Sequence, residues 1–198
     1  MPAVLRGYVR IVEAVTRRIG RVAMYLIFAM MGILLWSSIS KTFFMPTLWT
    51  LEMAQFTMVA YYLLGGPYAL QLGSNVRMDL FYSGWSPRTK AWVDGFTVLA
   101  MLFYLGVLLY GGLSSLAYSL GHFKGEPFGF LWDVAATFAS EGSAAAEEKL
   151  GFLERSPTAW RPMMWPIKLL MCAAVLLMLL QGIAILIRDI ATIRGEEI

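Results

Sequence analysis

Cysteine and histidine are nearly absent from this 198-residue chain, which holds only Cys172 and His122. A lone cysteine excludes an internal disulfide framework and any cysteine-based metal cluster made by one chain. A lone histidine excludes bis-histidine haem ligation within the chain, which disfavours a cytochrome-type anchor. Charge is scarce too, at 15% of residues against the ~25% usual in soluble domains. Sixteen basic and thirteen acidic residues leave a net charge of +3, a weak global signal from which no nucleic-acid partner is expected. There is no paired carboxylate, no metal-ligand cluster, no phosphate-binding glycine loop and no nucleophile with a histidine base. Catalytic residues, a metal and a cofactor are therefore all expected to be lacking, and an enzyme is the weaker reading.

What the chain does have is apolar length, with 59% of its residues hydrophobic. That composition describes a membrane protein. The stretch 53–76 carries no formal charge between Glu52 and Arg77, and as a helix it would cover ~36 Å, more than the ~30 Å hydrocarbon core. Gly65, Ala69 and Gly73 recur every four residues within it, a face on which another backbone can approach closely. Pro67 lies among them, and its missing amide predicts a kink that neighbouring helices must compensate. This span reads as an inner, packed helix.

The remaining elements follow in order. Over residues 4–21, Leu5, Tyr8, Val12, Val15 and Ile19 share one side of a helical wheel, opposite Arg6, Arg10, Glu13, Arg17 and Arg21; such a helix suits the headgroup plane, with its arginines near anionic lipid. An uncharged run over 22–40 is long enough to cross, and no small-x-small cleavage site follows it. Thr50 is placed to cap the second span, and Glu52 to complement its dipole. A third span covers 95–120. The connection 121–161 is the one sizeable water-facing segment, mildly acidic, with helices expected over 130–140 and 144–153. The last span, 163–187, has Gln181 as its one strongly polar interior residue. Lysines and arginines cluster in the leader, the second connection and the tail, which places both termini in the cytoplasm and the long loop in the periplasm. The expected fold is thus an all-α membrane protein in a single integral membrane domain: four transmembrane helices, an amphipathic interfacial helix before them, and a helical periplasmic loop between the third and fourth.

Two segments carry a resemblance. Leu48-Trp49-Thr50-Leu51-Glu52 and the run from Gln71 through Arg77 to Leu80 resemble the second helix of the small, DctQ-like membrane subunit of tripartite ATP-independent periplasmic (TRAP) transporters. Pro166-Ile167-Lys168-Leu169, followed by Leu180-Gln181-Gly182 and Arg188-Asp189, resembles that family's fourth helix. Asn75 stands where the family commonly has histidine.

The resemblance implies a subunit of the bacterial inner membrane with no transport pathway of its own. Its implied partners are a large elevator-type membrane subunit that carries sodium and an organic acid, and a periplasmic protein that delivers the substrate. Gly65, Ala69, Gly73, Arg77, Asp79, Gln181 and Gly182 are the residues expected at helix packing or the subunit interface. Glu147 and Glu148 are expected to dock the binding protein, and Arg6, Arg10 and Arg17 to seat the interfacial helix on the lipid bilayer. Two alternatives stay open: a self-contained four-helix exporter using Glu52, and a membrane anchor subunit of an enzyme.

Overall fold

The computed structural model describes residues 3–73, 84–123 and 125–195, apart from the side chains of residues 87 and 88. The described residues are all-helical: α1 (Ala3–Phe43), α2 (Thr50–Gln71), α3 (Pro87–Ser119), α4 (Pro127–Glu141), α5 (Ser143–Glu148) and α6 (Trp165–Arg194). No strand occurs among them, only an isolated antiparallel bridge between Arg155 and Met163.

Three helices, α1, α3 and α6, are long and apolar enough to cross a membrane. They also leave large apolar side chains uncovered, among them Tyr25, Phe28, Phe96 and Phe103, as expected of helices solvated by lipid or by a partner rather than by water. The fourth long helix, α2, has 22 residues and so spans ~33 Å. Glu52, Gln55 and Gln71 dilute its apolar character, and most of its residues are buried or half-buried.

The helix boundaries differ from the sequence reading in ways the backbone explains. The leader over 4–21 and the span over 22–40 are one uninterrupted helix, α1. The junction at Arg21 is a change of side-chain polarity with no proline near it, so the backbone has no reason to break there. Helix α2 stops at Gln71, short of Val76, because Gly73 adopts a φ of +62°, the left-handed conformation that ends helices. Helix α3 starts at Pro87, earlier than expected, where a proline sacrifices an amide that would have no partner anyway. Helix α6 continues past Ile187 to Arg194.

The chain divides into two compact units. The first comprises Met1–Ile27, Tyr61–Val107 and Ala174–Ile198. Its core sets Val9 and Val12 of α1 against Ala184 of α6, with Tyr8, Leu180 and Ile187 packed around them. The Tyr8 hydroxyl donates to the Leu180 carbonyl at 3.0 Å. Along α1 the covered stripe is Val9, Val12, Thr16, Gly20 and Ala23, a spacing of three and four residues. Small residues set how closely the elements approach. A Cβ on Gly20 would lie 2.5 Å from Cβ and Cγ of Tyr68, and one on Gly182 would lie 2.9 Å from Cδ2 of Leu102.

The second unit comprises Phe28–Ala60 and Leu108–Ala173. Leu116, Leu120 and Cys172 form its core, covered by Phe130 and Leu131 of α4 and by Leu150, Leu153 and Trp165. Here the joints are polar. Thr50 Oγ1 donates to Ser37 Oγ at 3.1 Å, Thr47 Oγ1 donates to Thr50 Oγ1 at 3.1 Å, and Ser40 Oγ donates to the Ser37 carbonyl at 3.1 Å. Lys168 Nζ donates to Glu154 Oε2 at 2.5 Å and to the Ser115 carbonyl at 3.3 Å. The backbone of the connection lies directly on the end of α3, with Gly151 N–H donating to the Leu120 carbonyl and Glu154 N–H to the Ser119 carbonyl, both at 3.0 Å. Gly121 permits that contact, because its φ is +90° and an added Cβ would sit 2.5 Å from Cα of Gly151.

Candidate functional site

Two grooves and one capped connection contain most of the residues singled out in the sequence. The first groove, of about 360 Å³, is lined by Gly20 and Ala23 of α1 and by Tyr62, Gly65, Ala69 and Leu72. Gly65 and Ala69 therefore share a face, as their spacing predicts, but that face is open: a Cβ on Gly65 or on Gly73 would meet nothing within 4 Å. The close approach falls one residue along. A Cβ on Gly66 would collide with the Met178 methyl, while Gly20, which the spacing did not select, admits Tyr68. Single glycines outside a four-residue repeat carry little sequence signal, and only the packing identifies them.

Gln181 is fully buried, at 1% exposure, and its Oε1 has no hydrogen-bond partner. Gly182 beside it is buried against Met101 and Leu102. Arg77 and Asp79 lie outside the described residues.

The second groove, of about 560 Å³, runs along the basic side of α1 and is closed on one side by Arg188 of α6. Arg6, Arg10, Arg17, Arg18 and Arg21 all line it, and all are exposed. Its single acidic member, Glu13, sits 2.6 Å from Arg188, an ion pair whose oxygen lacks the alignment of a hydrogen bond. The apolar side of the leader is largely covered by protein: Val9 and Val12 are buried, whereas Val15 stays 40% exposed.

Glu52 departs from a capping role. Its side chain is 5% exposed, and neither carboxylate oxygen has a hydrogen-bond partner. Thr50 is the first helical residue of α2 and turns its hydroxyl toward Ser37. A carboxylate in a first turn complements the dipole only if it points along the axis, which sequence position alone does not dictate.

The connection after α3 folds back on its own unit. Phe130 and Leu131 turn onto the core, Phe138 is exposed, and Glu147 and Glu148 of α5 are exposed. Lys149 bonds Asp133 at 2.8 Å, tying the segment after α5 to α4. His122 stacks on Phe130 with ring centroids 4.4 Å apart, and its buried Nε2 has no partner. Among the described residues, no three His, Cys, Asp or Glu side chains converge as metal ligands.

The family model described as "Tripartite ATP-independent periplasmic transporters, DctQ component" matches residues 30–192, most of the chain. The chain belongs to the DctQ family. Comparison with curated proteins and with solved structures returned no match. As a DctQ protein it is a membrane component of a tripartite transporter, and the family is a transporter component rather than an enzyme family. The matched residues begin inside α1 and end inside α6, so the arginine-bearing leader precedes them.

Proposed function

We propose that this DctQ protein is the non-transporting scaffold subunit of its transporter, crossing the bacterial inner membrane four times with both termini in the cytoplasm. It pairs with a large elevator-type subunit that takes up an organic acid with sodium, delivered by a periplasmic binding protein. The observation that carries this reading is the family match, which takes in the end of α1, all of α2 and α3 and nearly all of α6. That α2 is not among the three helices apolar enough to cross by composition agrees with a fourth span covered by protein along most of its length, since a covered helix need not be lipid-soluble on every face. Gly65 and Ala69 offer an open, small-residue face for a helix of the large subunit, while Gln181 and Gly182 hold the scaffold's own packing. Arg77 and Asp79 fix the cytoplasmic end of the second span. The exposed Glu147 and Glu148 orient the binding protein.

Reconstitution tests the proposal. The chain alone in liposomes should give no sodium-driven uptake of an organic acid, and uptake should appear when the large subunit and binding protein are supplied. The buried, unpartnered Glu52 favours one competing reading, a self-contained exporter that moves its cargo through this carboxylate. That reading requires transport by the chain alone, abolished in Glu52→Gln. Such a result would overturn the scaffold role.

A further inference from the structure

We propose that α4 lies at the edge of the bilayer's hydrocarbon, its bare face against phospholipid acyl chains, although the connection that contains it reads as water-facing in sequence. Between Pro127 and Ser140 the helix carries one charge, Asp133, which is paired with Lys149. Its inner side is apolar and occupied: Phe130 and Leu131 cover the core of Leu116, Leu120 and Cys172. Its outer side is equally apolar and bare. Phe128 and Trp132 are 49% and 78% exposed, and Ala135 and Ala139 are exposed with them; at ~100° per residue the four fall within about 60° of one another. A helix that is apolar all round belongs in a core or in lipid, and the outer side of this one is left uncovered by its own chain.

Depth decides between lipid and water. After α3 ends at Ser119 the chain turns back along it: the Phe123 ring meets Tyr118 with centroids 5.0 Å apart, and the Phe128 ring meets Tyr110 at 5.8 Å. Tyr110 lies ~14 Å back from Ser119 along the helix, and helical side chains lean further toward the N-terminus. Asp94 is the last charged residue of α3. With Asp94 at or beyond the opposite edge, ~30 Å of hydrocarbon reaches about residue 114 or further, so Tyr110 lies inside it and the Phe128 ring lies within it or at its edge. Trp132, one turn along, then stands where amphipathic rings gather between acyl chains and headgroups. Lipid is favoured over a protein partner because the stripe continues the bare face of α3, where Tyr110 is itself 55% exposed, and because it presents no charge by which a partner would be oriented. With no lysine or arginine on α4 to meet headgroups, acyl contact is what holds it there. The inference rests on α3 crossing the bilayer, a part of the scaffold reading, and goes beyond it by taking α4 out of the surface offered to the binding protein.

The test places a fluorescent thiol label on Trp132→Cys, Ala135→Cys, Glu147→Cys or Phe103→Cys, in proteoliposomes holding the full chain with and without its large subunit. All four positions are exposed, so the substitutions leave the cores intact. Cys172 is buried, and the natural protein without an added cysteine gives the background. Labels on Trp132→Cys and Ala135→Cys should lose most of their emission to phosphatidylcholine brominated near the glycerol end of its acyl chains, and little to aqueous iodide. The label on Glu147→Cys, on α5, should do the reverse. Iodide quenching of the two α4 labels as strong as that on Glu147→Cys overturns the proposal. So does lipid quenching of the chain alone that disappears when the large subunit is added, which would make the stripe a protein interface. Phe103→Cys, on the bare face of α3, reports the span itself through phosphatidylcholine brominated near the chain ends. Quenching there without quenching on α4 sinks this inference alone, whereas no quenching on Phe103→Cys in the chain alone sinks the four-span reading with it.

Discussion

The two compact units are joined internally by different physics. In the unit holding Val9, Val12 and Ala184, elements meet where side chains are missing: Gly20 admits Tyr68, Gly66 admits the end of Met178, and Gly182 admits Leu102. In the unit holding Leu116, Leu120 and Cys172, elements meet through hydrogen bonds, from the Ser37, Thr47 and Thr50 hydroxyls to Lys168 on Glu154 and the Ser115 carbonyl. One unit therefore fails by being overfilled, the other by losing a partner. Because water-driven burial is absent between helices in lipid, both devices replace it: close contact in the first case, polar pairing in the second.

The contrast is one of emphasis, since the first unit also holds the Tyr8 bond to Leu180 and the Glu13–Arg188 pair, and the largest expected effect breaks it at an exception in the second unit. Gly121 is a steric joint inside the hydrogen-bonded unit, and Gly121→Ala meets both a positive φ and the Gly151 backbone. It should cost at least about 3 kcal/mol, read as a lowered unfolding midpoint of the purified chain. Next comes the glycine pair that sharpens the contrast. Gly20→Ala should destabilise by about 1–3 kcal/mol, since Cβ of Tyr68 has no freedom to swing away, while Gly65→Ala should stay within about 0.5 kcal/mol in the isolated chain. Equal effects at the two positions would show that glycine contacts do not hold that unit. On the polar side, Thr50→Val keeps the shape and removes the hydroxyl that meets Ser37 and Thr47. A loss of about 0.6 kcal/mol is expected, the usual worth of a hydrogen bond between helices in a membrane. The smallest stability effect belongs to residues outside both kinds of joint. Glu147→Lys with Glu148→Lys should leave the unfolding midpoint within about 0.5 kcal/mol, yet slow uptake at limiting binding protein and change its salt dependence. Uptake unaffected at low salt would remove the docking role of α5.

The long helices were legible because uncharged runs of membrane length admit few other structures. Their ends were not. At Arg21 the sequence changes character without changing backbone preference, so the polarity boundary there is not a structural one. At the end of α2 the visible signal is the charge at Arg77, while the residue that stops the helix is Gly73 with its positive φ. The small-residue face shows a related limit. The repeat at Gly65, Ala69 and Gly73 identified a real surface, but spacing along one helix says nothing about what approaches it, and the tight contacts fall on Gly20 and Gly66. Glu52 was legible as a first-turn carboxylate and not as a buried one, because position in a helix does not say what covers a side chain. The helix over 130–140 was visible; that Phe130 and Leu131 face inward while Phe138 does not depends on the end of α3 and the segment at Leu150.

The hydroxyl cluster at Ser37, Ser40, Thr47 and Thr50 bears on how the protein is made. Its bonds reach no further than thirteen residues along the chain, so every member has been synthesised before α3 begins at Pro87. These hydroxyl bonds join the end of α1, the turn and the start of α2 to one another. Polar groups that are costly to place in lipid singly have partners within the first hairpin itself.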